Sequence, residues 1–155
     1  NEWLPYVSHD NLGTARQAAG IAAALIGLQN GPCDLACLYD ARCGIGNYSP
    51  LFNPFTYGPH KAYFAFTAFH ELRKLGTAVR AVSDDADVWV AAAKGETGSV
   101  VMIANDSDRP VELALDLAGR KAVSHRLTDC ERTDERRPGA PGTLGAHAFC
   151  VILCE

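Results

Sequence analysis

Long apolar runs, blocks of like charge and metal-ligand spacings are all missing from these 155 residues, and each absence closes off a class of function. The longest apolar stretch, Ala18 to Leu28, is about half of the roughly 20 residues that a membrane span requires. No basic-plus-apolar signal segment opens the sequence either, so a membrane partner is not expected. Fourteen Lys and Arg stand against 18 Asp and Glu, and the densest charged stretch, Glu131 to Arg137, mixes both signs. A nucleic-acid partner is therefore not expected.

Six cysteines are present, at 33, 37, 43, 130, 150 and 154. Their C-x3-C and C-x5-C spacings fit neither a zinc ribbon nor a C-x2-C redox site, so no metal and no cofactor is expected. Buried unpaired thiols in a reducing, cytoplasmic setting are the simplest reading. The chain opens on Asn1 rather than methionine, inside what reads as a motif, and the expectation is a piece of a longer protein.

With 48% hydrophobic and 21% charged residues, the composition is that of a packed globular chain. Between Asn11 and Leu28 apolar residues recur every three or four positions, which predicts a helix capped by Asp10 or Asn11 and stopped by a left-handed position in Asn30-Gly31-Pro32. Leu35 to Tyr39 has no polar alternation and predicts a short parallel strand covered on both faces. A long loop runs from Arg42 to Gly58. The next helix has Pro59 at its start, an apolar face through Ala62, Phe66, Phe69 and Leu72, Arg73 and Lys74 in its last turn, and Gly76 beyond.

After Gly76 the pattern changes to Val-, Ile- and Ala-rich runs at about ten-residue spacing: 78–82, 88–93, 100–104, 111–117, 122–127 and 148–153. Turn residues separate them, predicting an antiparallel β-sandwich with Val88, Val90, Val101, Ile103, Leu113 and Leu115 inward and Trp89 in its core. Pro138 to Gly145 reads as a loop. The expected fold class is α/β plus all-β, with residues 1–76 forming loop, helix, strand and helix and residues 77–155 forming the sandwich.

The opening Asn1-Glu2-Trp3 places a carboxylate, an amide and an aromatic at a strand end. It is followed by His9-Asp10, the Ala-rich helix, the strand to Asp40, Leu51-Phe52-Asn53-Pro54 and Pro59-His60-Lys61-Ala62-Tyr63-Phe64. That string resembles the last two βα units of family 39 and related clan A glycoside hydrolases. The resemblance implies that residues 1–76 close a (β/α)8 TIM barrel and that the sandwich follows it. It further implies that Glu2 is the nucleophile of a retaining enzyme acting on β-xyloside- or arabinoside-like bonds. The acid/base carboxyl then belongs to upstream sequence.

Trp3, His9, Tyr39, Asp40 and Tyr48 are the candidate substrate-binding residues. Trp3 and Tyr48 offer apolar platforms for a sugar ring, and His9 either orients Glu2 or a sugar hydroxyl or caps the next helix. Tyr39 and Asp40 stand at the second strand end, where many clan members carry a tryptophan; for Tyr39 a place in the core is the other reading. The expected partners are a carbohydrate substrate and either the rest of the parent chain or a second copy. The alternative is a non-catalytic carbohydrate-binding or structural β-sandwich module.

Overall fold

The computed structural model describes residues 2–6, 8–41 and 50–155. In chain order the elements are β1 (Glu2–Trp3), a 3-10 turn (His9–Asn11), α1 (Ala15–Asn30), β2 (Cys37–Leu38), α2 (Lys61–Leu75), β3 (Thr77–Val79), β4 (Val88–Lys94), β5 (Ser99–Asn105), β6 (Val111–Glu112), β7 (Ala122–Thr128), β8 (Glu135–Pro138), β9 (Thr143–Leu144) and β10 (Ala148–Cys154).

Both helices form where the apolar periodicity places them, but the ends of α1 differ from expectation. Thr14, not Asp10 or Asn11, is its N-cap: the Thr14 hydroxyl accepts from the Gln17 N–H at 3.3 Å, while the Gln17 side chain accepts from the Gly13 N–H at 3.1 Å. This is close to a reciprocal capping box, with the glutamine reaching one residue past the cap. Gly31 ends the helix in extended backbone (φ −103°, ψ 173°) rather than in the left-handed conformation. Gly76 does end α2 left-handed, at φ 86°. That position suits glycine because it has no Cβ to clash with the backbone.

The sheet order is β3-β4-β5-β10-β7-β8, antiparallel throughout. Strand alternation divides its side chains between two cores. Ala91, Ala93, Val100, Met102, Ala104, Phe149 and Val151 face α1 and α2 and share one apolar cluster with Ala18, Ile21, Ala22, Ile26, Ala62, Ala65 and Leu72. Small residues on both helices let them lie close to the sheet. On the other face Ile103, Leu127, Cys150 and Ile152 pack with Val111 and Leu144 of the two-stranded β6–β9 sheet. Val88, Val90, Val101, Leu113 and Leu115 join this second cluster together with Ile103, as their alternation predicts.

Several expectations fail in detail. The 35–39 strand shrinks to Cys37–Leu38, and Leu35 is 75% exposed. Only Val111–Glu112 of 111–117 pairs as a strand. The stretch read as a loop ends β8 at Pro138 and contains β9, because Thr143–Leu144 has β6 to pair with. Cys33, Cys37 and Cys130 are exposed; Cys150 and Cys154 are buried. Among the described residues the one parallel pairing is β1 with β2, and no barrel closes. No helix among them is long and apolar enough to cross a membrane.

Candidate functional site

β1 and β2 lie side by side in parallel register, Glu2 opposite Cys37 and Trp3 opposite Leu38. The Tyr39 N–H continues the ladder by donating to the Trp3 carbonyl at 2.9 Å. Successive residues of a strand point to opposite faces, so this register sorts the candidates. Trp3 and Leu38 turn toward the helices and pack on the first core, Trp3 with its ring centroid 6.5 Å from that of Phe66. Glu2, Cys37 and Tyr39 alternate with them and are all exposed, Tyr39 by 37%. The open face of the β1–β2 pair therefore carries Glu2 and Tyr39, and the helices close the other face.

Tyr39 is thus not a core aromatic. Trp3 belongs to the covered face, away from the Glu2 carboxylate. Asp40, half-buried, follows Tyr39 directly at the end of β2, joined to it by a cis peptide. His9 opens the 3-10 turn between β1 and α1. Tyr48 lies outside the described residues.

Behind this pair, on the covered side, Trp3, Gly20, Ala23, Ala24, Trp89 and Asp106 line an apolar groove of about 420 Å³. Trp89, expected in the core, is 41% exposed because its parity on β4 sends it toward α1 at the end of the strand, beyond the packed Ala91 and Ala93. The groove was not foreseen from the sequence. Its one signal there was the pair Gly20 and Gly27, seven residues apart in an otherwise Ala-rich helix. Gly20 meets the Tyr6 ring, and a Cβ at Gly27 would come within 3.1 Å of Trp89 Cζ3.

Asp106 closes the groove with a carboxyl whose pKa is raised. Burial is the larger cause, and the Tyr6 hydrogen bond and the nearby His147 and Arg16 charges pull the other way. Burial also raises the Tyr6 phenol, with the Asp106 hydrogen bond adding to it. Among the described residues no cluster of three or more His, Cys, Asp or Glu is placed to hold a metal.

No protein-family model matches the sequence, and no curated protein matches it. Solved structures do. The family 30 subfamily 8 xylanase of Clostridium acetobutylicum superposes with a TM-score of 0.74 at 15% identity, over 100% of this chain and 41% of its own. An arabinose-bound family 51 α-L-arabinofuranosidase gives 0.65 at 15% identity, over 92% of this chain and 28% of its own. A family 86 β-porphyranase of Bacteroides plebeius gives 0.62 at 20% identity, over 97% and 32%. The chain spans less than half the length of each of these neighbours. At such identities the likeness establishes the fold alone: this chain is built like one part of several glycoside hydrolases.

Proposed function

We propose that these residues are the C-terminal part of a retaining glycoside hydrolase. In this reading residues 1–76 supply the last two βα units of its barrel, 77–155 the accompanying β-domain, and Glu2 the nucleophile. One observation carries it: β1 and β2 are adjacent parallel strands, each followed by a helix that covers one face, and Glu2 is presented on the other. Barrel enzymes gather their catalytic groups at the C-terminal ends of their strands. Retention needs a second carboxyl roughly 5 to 5.5 Å from the nucleophile, to protonate the leaving oxygen and then activate water. We assign it to sequence outside these 155 residues.

Tyr39, on the same face as Glu2, is the aromatic best placed to lie under a sugar ring, and Asp40 follows it at the strand end. The motif string from Glu2 to Phe66 favours a family 39-like enzyme, and the fold likeness to a xylanase and an arabinofuranosidase agrees with β-xyloside- or arabinoside-like substrates. The test is hydrolysis of nitrophenyl β-xyloside and α-arabinofuranoside by the natural full-length polypeptide. Activity that Glu2→Gln lowers by roughly a thousandfold or more supports the reading. A non-catalytic carbohydrate-binding or structural module would instead be inert toward every glycoside while folding normally.

A further inference from the structure

The segment that leaves β1 is tied to the sheet layer by one side chain. The Tyr6 hydroxyl lies 2.9 Å from both carboxylate oxygens of Asp106, to which it donates, across 100 residues of sequence. Two further contacts hold Tyr6 in place. Its ring lies 5.1 Å under the Arg16 guanidinium. Its edge rests on Gly20, where any Cβ would overlap it. Its backbone is left-handed, φ 54°, a strained conformation for a residue with a Cβ, which persists only because its surroundings enforce it.

Asp106 is held as firmly. It directly follows β5, and its N–H donates to the Asp87 carbonyl at 3.2 Å. The fully buried Asn105 beside it donates to the carbonyls of Arg109 and Gly145, each at 2.8 Å, and accepts from the Ser107 hydroxyl at 2.7 Å. His147 Nδ1 stands 3.9 Å from the Asp106 carboxylate, with its Nε2 2.8 Å from Asp108.

β1 is two residues long and among the described residues pairs with β2 alone. So short a strand has little of its own to fix a side chain to the tolerance of about 0.5 Å that a reacting group requires. We propose that Tyr6 and Asp106 are positioning residues: through this pair the sheet layer fixes the segment continuing β1, and with it the place of the Glu2 carboxylate. The catalytic consequence rests on the reading of Glu2 as nucleophile; the tie itself does not.

The experiment takes the natural full-length polypeptide and its Tyr6→Phe, Asp106→Ala and Asp106→Asn variants through amide hydrogen exchange and steady-state hydrolysis. Expected are exchange of residues 2–6 at least about tenfold faster in Tyr6→Phe and Asp106→Ala, with β5 and β10 unchanged, and a kcat about tenfold lower at nearly constant KM. Asp106→Asn keeps an acceptor oxygen and should recover most of both, which a merely structural loss would not predict. Unchanged exchange at residues 2–6 in variants that fold overturns the tie. Faster exchange there with unaltered kcat overturns the positioning role. Faster exchange in a protein whose wild type cleaves no glycoside upholds the tie and removes the nucleophile reading instead. Should Tyr6→Phe fail to fold, the Asp106→Asn and Asp106→Ala comparison decides alone.

Discussion

The indole of Trp89 lies against Gly27, so that a β-carbon on the helix would stand 3.1 Å from Cζ3 of the ring. The contact joins β4 to α1 at the edge of the groove behind Glu2. A glycine inside a helix usually costs about 1 kcal/mol relative to alanine, so its presence here reflects the ring it must admit.

Gly27→Ala should therefore stabilise less than a helical glycine replacement ordinarily does. In a Trp89→Leu background the same replacement should recover the ordinary gain, giving a coupling above about 0.5 kcal/mol between the two sites. Denaturant titration of the four proteins measures it. Additive effects would mean that Trp89 moves aside without cost.

His60 stands at the N-cap position of α2 without a side-chain capping bond, and its ring packs on Gly13. Burial pushes its imidazole below the ordinary 6.5, opposed by a hydrogen bond with the Pro50 backbone. Between that lowered value and 6.5 the unfolded chain binds more protons than the folded one, so stability rises with pH across this window and levels off above it. Replacing His60 with Gln should flatten that rise in denaturation curves taken between about pH 5 and 8. An identical slope in the variant would contradict the assignment.

The cysteines divide by position in the fold. Burial pushes the Cys150 thiol up to about 12, and Cys154 is raised by the same cause. Brief alkylation of the native protein followed by peptide mapping should modify Cys33, Cys37 and Cys130 and leave Cys150 and Cys154 unlabelled until denaturant is added. Rapid labelling at Cys150 would mean that β10 is not the buried central strand described above.

What the sequence disclosed follows the strength of its periodic signals. α2 was legible because Pro59, an apolar stripe and Gly76 mark its start, body and end. β4, β5, β7 and β10 were legible because each lies on a Val-, Ile- or Ala-rich run set off by turn residues. β8 was not: its residues, Glu135 to Pro138, are all exposed and mostly charged, and they form a strand only by pairing with β7. Leu113, Leu115 and Leu117 show the converse, a strand pattern with inward leucines whose pairing stops early: past Glu112 the Leu113 N–H still donates to the Gly142 carbonyl at 2.9 Å, and the strand goes no further. Thr14-x-x-Gln17 was a readable capping signal that Asp10 and Asn11 obscured.

In the site, Glu2 and Tyr39 were both singled out, but that they share a face and that Trp3 does not depends on the β1–β2 register, which lies 35 residues apart in sequence. The Tyr6–Asp106 bond spans still more of the chain, and no local pattern announces it.

The most direct test of the account is the site of covalent labelling when the natural full-length polypeptide turns over a 2-fluoro xyloside or arabinofuranoside that traps the glycosyl-enzyme ester. Peptide mass mapping should place the sugar on Glu2, and Glu2→Gln, which cannot form the ester, should carry none and have lost activity. A label on another carboxylate, with Glu2→Gln as active as the wild type, would contradict the account.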